Sequence, residues 1–193
     1  MAISVEKLEH QLLDIIDFLD EEGIDYHLEG GVLLGVVREQ RLLPWDKDTD
    51  IAIMRTDLPR LVEALPKIRK RGWRISIRRH KRENEFTDIE SISIIKIKDR
   101  KFGILAGDHV LDLFVKTQKG DQAFWLAGGN VLRASMSHFT GYETIRWRDR
   151  DVKVPLDYRN YLTKKYGDWS VVVKEWNVDY EKTIIEPRPE GED

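Results

Sequence analysis

Residues 29–53 read EGGVLLGVVREQRLLPWDKDTDIAI, and the fold turns on how this stretch is understood. It opens on the pair Gly30-Gly31, runs through apolar residues to Arg38, and reaches Pro44-Trp45 before three acidic residues at alternate positions, Asp46, Asp48 and Asp50. Ile51, Ala52 and Ile53 follow directly. In a β-strand each residue advances about 3.3 Å and side chains alternate faces, so Asp48 and Asp50 point the same way, roughly 6.6 Å apart at Cα. Two hard oxygen donors at that spacing can converge on one Mg²⁺ or bridge two. Thr49, Ile51 and Ile53 then face a core on the other side. A helix would send residues two apart to different sides, so a metal site here requires the strand. A lone Asp-x-Asp is more often a polar turn before a buried strand, and that reading stands beside the metal one.

Upstream, residues 26–29 alternate like a strand, and residues 32–37 read as a short helix after the glycine pair. Strand, glycine turn and helix N-terminus together present backbone N–H groups suited to a phosphate, and glycine lets a ligand approach the backbone closely. A tight turn with no ligand is the plainer alternative.

These residues resemble the LicD/fukutin family of the nucleotidyltransferase-fold superfamily. The similarity lies in Gly30-Gly31-Val32-Leu33-Leu34-Gly35-Val36-Val37-Arg38 and Pro44-Trp45-Asp46-Lys47-Asp48-Thr49-Asp50-Ile51. It continues more loosely through Val154-Pro155, Tyr161-Leu162 and Tyr166-Gly167-Asp168-Trp169. Val32 stands where the family usually has threonine, and Lys47 where an acidic residue is common. Neither change removes an expected metal ligand. The resemblance implies an α+β fold, a nucleotidyltransferase-like mixed β-sheet flanked by helices.

Length and composition set the bounds. A chain of 193 residues suits one domain, and at this size roughly 70% of the unfolded surface can be buried. The expected division is a single domain over residues 1–180 with an acidic, Pro-containing tail over 181–193, composed as disordered segments are. A net charge of −3 does not announce a nucleic-acid or membrane partner. The absence of cysteine excludes disulfides and thiolate metal sites and makes a reducing cytoplasm the expected setting. No run approaches the roughly 18 apolar residues of a membrane span, and the first residues lack the basic-then-apolar pattern of a signal peptide.

Along the rest of the chain, residues 4–22 read as a helix capped by Ser4 and stopped by Gly23, with Val5, Leu8, Leu12, Ile15 and Leu19 on one face. A second helix runs from Thr56 or Asp57, with Pro59 in its first turn, to about Arg71. Strands are expected over residues 73–77, 91–98 and 109–115, with Asp99-Arg100-Lys101 as a turn. Residues 122–126 and 131–136 read as short helices or strands. A hairpin is expected over 142–154 and a helix from Asp157 to about Tyr166. Lys67, Arg69, Lys70, Arg71, Arg74, Arg78, Arg79, Lys81 and Arg82 crowd residues 67–82. Cations at a helix C-terminus followed by a solvated strand explain them most simply. A patch for a phosphorylated glycan or nucleic acid is the functional alternative. Trp73 reads as a core residue in preference to a base-stacking one, and His27 and His138 as packing residues in preference to ligands.

Asp112 is the odd residue of the apolar run HVLDLFV. An unpaired carboxylate there is costly to bury, so it either faces solvent or serves a site. The resemblance implies the second: Asp48, Asp50 and Asp112 form a catalytic and metal-binding triad for Mg²⁺ or Mn²⁺. It further implies that Gly30 and Gly31 meet the phosphates of a nucleotide-linked donor. Arg38 is a phosphate contact or a structural partner of Asp46, and Asp46 orients the ligands or joins them. The activity implied is transfer of a phosphorylated group, phosphocholine or a polyol phosphate, from a nucleoside-diphosphate donor to a sugar or glycan hydroxyl. Transfer of a nucleoside monophosphate to a small-molecule, protein or RNA acceptor is the alternative, and a nucleic-acid partner is open but not favoured.

Overall fold

The computed structural model describes residues 4–81, 86, 88–101, 105–175 and 182–186. Four helices and ten strands are present among them: α1 (Val5–Glu21), β1 (His27–Leu28), α2 (Gly30–Glu39), β2 (Asp48–Met54), α3 (Leu58–Lys70), β3 (Arg74–Arg79), β4 (Ile92–Lys101), β5 (Leu105–Lys119), β6 (Gln122–Ala127), β7 (Asn130–Ser135), β8 (Tyr142–Trp147), β9 (Arg150–Pro155), α4 (Tyr158–Tyr166) and β10 (Ile184–Glu186). This is an α+β fold with a mixed sheet flanked by helices. The sheet runs β1-β2-β5-β6-β7-β10, with β4 on β5 and β3 on β4; β8 and β9 form a separate hairpin.

The pairing of β2 with β5 is parallel, whereas β4–β5, β3–β4 and β1–β2 are antiparallel. Paired residues share a face of the sheet, so the register sorts the side chains. Thr49, Ile51 and Ile53 of β2, Leu111, Leu113 and Val115 of β5, and Ile95 and Ile97 of β4 lie on one face, all buried. Helix α1 covers that face with Leu8, Leu12, Ile15, Ile16 and Leu19, and its Gln11 Nε2 donates to the carbonyl of Ile97 at 2.9 Å. The opposite face carries Asp48, Asp50, Asp112, Lys96 and Lys98.

Local expectations meet this architecture in several places. Helix α1 ends as expected at Gly23, where the N–H groups of Gly23 and Ile24 bond back to the carbonyls of Asp20 and Leu19. Ser4 stands at the N-cap, but its side chain makes no capping bond. The two undecided segments are the strands β6 and β7, joined across Gly128 and Gly129. The expected turn at Asp99-Arg100-Lys101 is instead strand: pairing continues to Lys101 opposite Leu105, because a backbone ladder needs only its N–H and C=O groups and not an apolar sequence. Within the expected tail, Ile184–Glu186 pairs with Val131 and Leu132 of β7, so this part of it is ordered by backbone bonds. Residues 187–193 lie outside the described residues, as does Arg82.

The basic stretch is divided by the fold. Lys67 pairs with Glu22, just past the end of α1, and Arg71 with Asp14 and Glu21 on α1. Arg74 and Arg78 stand exposed on β3. Trp73 is half-buried against the core with its indole N–H on Asp14, the packing role expected of it.

Candidate active site

The acidic strand and the apolar strand meet in register. Asp50 of β2 lies directly opposite Asp112 of β5, and Asp48 opposite Val110. Sixty-odd residues separate them in sequence, yet parallel pairing places both carboxylates on adjacent strands, about 4.8 Å apart. Asp48 is exposed at the mouth, Asp50 is partly covered, and Asp112 is only 8% exposed.

Gly30 and Gly31 form the first turn of α2 and press against this cluster. Gly30 has φ +54°, in the left-handed region. A Cβ there would lie 2.4 Å from Asp50 Oδ2, and one on Gly31 would lie 2.0 Å from Asp46 Oδ2. The glycines are therefore needed by the carboxylates themselves, which crowd the helix N-terminus. The helix dipole at that end favours anions. We expect Gly31→Ala to leave stability within about 1 kcal/mol, since alanine is a better helix former and a carboxyl group can rotate away. Displacing Asp46 should weaken metal-dependent nucleotide binding by roughly tenfold or more, as loss of a ligand-orienting group does. Melting temperature and calorimetric titration read the two effects separately.

The electrostatics show how costly the gathering is. Burial, and then the neighbouring Asp48 carboxylate, push Asp46 up to about 6. Burial, followed by Asp48, Asp112 and Asp46, raises Asp50 well above the usual carboxylate range, with Lys165 opposing. Burial also raises Asp112, offset by Lys96, whose Nζ lies 2.5 Å from Asp112 Oδ2. Asp112 Oδ1 is buried with no hydrogen-bond partner among the described residues.

As the side chains stand, no three His, Cys, Asp or Glu groups among the described residues are drawn together tightly enough to hold one ion. The donor set nevertheless suits a hard divalent cation: its members are carboxylate oxygens, they repel one another, and one of them is orphaned.

Arg38 is placed differently from its suggested pairing with Asp46. Its guanidinium bonds Glu39 through Nε and an Nη, and the carbonyl of Trp169 at 3.2 Å. It ties α2 to the segment after α4, the Asp168-Trp169 segment that closes the motif. Asp168 Oδ1 there accepts from the N–H and hydroxyl of Ser170. Val32, at the departure from the family pattern, is buried in the core.

Sequence reasoning missed the group that carries the floor of the site. Glu29, 1% exposed, caps α2 by accepting from Gly30 N–H at 3.0 Å. Its Oε1 also accepts from Lys165 Nζ at 2.7 Å, its Oε2 from Lys116 Nζ at 2.5 Å, and the Tyr161 hydroxyl lies 2.9 Å from both oxygens. Burial opposes the charge on Glu29, but Lys116 and then Lys165 outweigh it and hold the carboxyl well below its usual range. Lys116 Nζ rests 4.0 Å from the ring centroids of both Trp125 and Phe139. His27, stacked on Phe139, is pushed down to about 3 by burial and the nearby Lys116, so it stays neutral and packs. His138 likewise is buried, with Nδ1 on the carbonyl of Leu156. The one sequence signal for this group is Lys116, a lysine ending the same apolar run that holds Asp112.

The LicD/FKTN/FKRP nucleotidyltransferase domain matches residues 23–165, which spans β1 to α4 and every residue of the cluster. The chain belongs to this family. An uncharacterised protein of Rickettsia typhi is 25% identical to this LicD-family chain over 163 residues, covering 83% of the chain and 46% of the relative. The human ribitol 5-phosphate transferase FKRP is 41% identical over 44 residues, 23% of the chain and 9% of FKRP. The chain thus spans less than half the length of either relative. Among solved structures, an antigenic nucleotidyltransferase-like protein from Paracoccidioides brasiliensis superposes with a TM-score of 0.43 at 15% identity, covering 79% of this chain and 62% of that one. No helix among the described residues is long and apolar enough to cross a membrane.

Proposed function

We propose that this LicD-family domain is an enzyme that transfers a phosphorylated group from a nucleoside-diphosphate donor to a hydroxyl of a sugar or glycan, with Mg²⁺ or Mn²⁺ bound at Asp48, Asp50 and Asp112. The observation that carries the proposal is the register of Asp50 against Asp112 beneath the glycine N-terminus of α2. A divalent cation there would neutralise phosphate charge and align the phosphorus for in-line displacement. The N-terminal end of α2 lends its dipole to the donor phosphates, and the glycines leave room for the carboxylates that would hold the cation. Asp46 orients the set from the side of α2, and Asp112 Oδ1 supplies the inner oxygen. The acceptor oxygen forms the new bond to phosphorus, the bond to the leaving nucleoside monophosphate breaks, and the hydroxyl proton passes to solvent. Lacking cysteine, the chain suits a reducing cytoplasm.

Calorimetric titration with CTP, CDP-choline, ATP, GTP and UTP, with and without Mg²⁺, tests this. A cytidine ligand is expected to bind only with Mg²⁺. The cation requires ionised carboxylates, and Asp46 and Asp50 titrate above their ordinary values, so binding must release protons. Affinity should therefore climb as pH rises through about 6, and the apparent enthalpy should vary with the buffer's ionisation enthalpy. Metal-dependent binding of ATP or GTP alone would favour nucleotidyl transfer instead. Failure of every nucleotide to bind would sink the mechanism.

A further inference from the structure

One row of side chains crosses three strands at the site. Asp50 of β2 stands opposite Asp112 of β5, and Asp112 stands opposite Lys96 of β4. The three share a face in the order carboxylate, carboxylate, ammonium. Neighbouring strands lie about 4.8 Å apart, so Asp112 sits between a like charge on one side and an opposite charge on the other. The Lys96 ammonium holds Asp112 Oδ2 at 2.5 Å. Asp112 Oδ1 is buried with no hydrogen-bond partner among the described residues. The two oxygens of one carboxylate are thus used unequally. A pair formed only to offset burial would leave neither oxygen idle, because a buried acceptor without a partner is costly. Lys96 is partly exposed while Asp112 is buried.

We propose that the Lys96 ammonium takes the place a second divalent cation would have on Asp112, so that the site holds one Mg²⁺ or Mn²⁺ and not two. The inference rests on the reading that Asp48, Asp50 and Asp112 bind the cation, and it deepens that reading by fixing the number of ions. The spacing of Asp48 and Asp50 allows one ion or a bridged pair; Lys96 decides between them. In two-cation sites the ions lie about 3.5–4 Å apart, and a carboxylate that bridges them lends one oxygen to each. Asp112 has one oxygen to lend. Oδ2 belongs to Lys96, and Oδ1 is left for a single ion shared with Asp48 and Asp50. Lysine suits this place because it is a compact point charge on a flexible stem, with donors that rotate to meet an oxygen. Its charge also repels a second divalent ion, and a partly buried pair is only weakly screened by salt. Lys96 is therefore a positioning residue. It acts through Asp112, anchoring one oxygen so that the other is presented to the cation, and it supplies a positive charge that does not exchange with solvent.

The test counts Mn²⁺ bound per chain from the EPR signal of free Mn²⁺, first with Mn²⁺ alone and then with CTP, against a CTP blank. The wild type is expected to bind one Mn²⁺. Lys96→Met removes the charge and keeps an unbranched side chain, and it should bind two. Lys96→Arg restores a cation and should bind one again, which a merely structural role for Lys96 would not produce. Circular dichroism checks that both variants are folded before the count, and the wild-type count needs no variant. Two Mn²⁺ in the wild type would overturn the inference and leave the cation reading standing. One Mn²⁺ in Lys96→Met would also overturn it, since Lys96 would then only offset the burial of Asp112. Loss of all Mn²⁺ in Lys96→Met would overturn it as well, making Lys96 a support for the first ion and not a substitute for the second. Absence of Mn²⁺ from the wild type under both conditions would sink the reading of Asp48, Asp50 and Asp112 itself, so the two failures are told apart.

Discussion

Glu29→Ala is expected to destabilise the fold by about 3–5 kcal/mol, the scale on which removing one partner strands a buried charge. Lys116 is fully buried and Lys165 nearly so, and both ammonium groups point at the Glu29 carboxylate at 2.5 and 2.7 Å. Alanine also removes the acceptor for the first N–H of α2, a cap, and leaves the Tyr161 hydroxyl without that carboxylate. For a domain of this size, with total stability of about 5–15 kcal/mol, such a loss threatens folding outright. Glu29→Gln should fall between wild type and alanine, because it keeps an acceptor and loses the charge. Tyr161→Phe should cost only about 1 kcal/mol. The sign with pH follows from the depressed carboxyl of Glu29: its contribution is complete above the ordinary carboxylate range and is lost only as pH falls below it. The substitution should therefore cost the same at pH 6 and pH 8. Urea unfolding gives the comparison. A loss below 1 kcal/mol for Glu29→Ala would show that the lysines find other partners and that the cluster is not the floor of the site.

Asp50→Asn is expected to act in the opposite sense on stability while removing activity. Burial and three neighbouring carboxylates make the charge of Asp50 unfavourable in the folded chain. A carboxyl whose folded value is raised contributes most below its unfolded value near 3.8, and that contribution is lost as pH rises through the folded value. The amide escapes this loss, so the melting temperature of Asp50→Asn should exceed wild type at pH 7–8, and the gain should vanish towards pH 4. Metal-dependent turnover of the donor should fall by roughly a thousandfold, in line with deletion of a group that stabilises charge in the transition state. A variant that is both more stable and inactive marks a residue kept for chemistry at the expense of the fold. Full activity in Asp50→Asn would remove it from the metal site. A lowered melting temperature with activity lost would make it structural.

The raised carboxylates and the buried lysines belong to one design problem. Glu29 of the β1–α2 junction and Asp50 lie side by side, since the Glu29 N–H bonds the Asp50 carbonyl at 3.1 Å. Lys165 acts on both, bonding Glu29 and favouring the charge on Asp50. Helix α4 thus supplies a cation that two adjacent carboxylates share, alongside Lys116 of β5, which acts more strongly on Glu29.

How much of this was legible in the chain depends on whether the information is local. The alternation of Asp48, Thr49, Asp50 and Ile51 determines a strand with carboxylates on one side and core on the other, because side-chain direction in a strand has period two whatever the partner. The glycine pair before an apolar run determines a helix start with room at its N-terminus, and the family motif places a nucleotidyltransferase-type sheet around both. Asp112 stands out because one acid in an apolar strand has few physical explanations. Tertiary structure alone decided the rest. No local pattern says that β2 pairs with β5 in parallel and in the register that sets Asp50 against Asp112, since long-range pairing is chosen by the whole core. Glu29, Lys116, Tyr161 and Lys165 come from three distant segments, and apart from Lys116 at the end of its apolar run each alone reads as an ordinary surface or packing residue. Only burial turns them into a charged cluster. Arg38 turned to Glu39 and Trp169 because the chain after α4 returns there. The basic residues of α3 and β3 look alike in sequence, but a helix and a strand distribute them differently. Lys67 and Arg71 reach carboxylates on α1 and at its C-terminal end, whereas Arg74 and Arg78 join the face that carries the site.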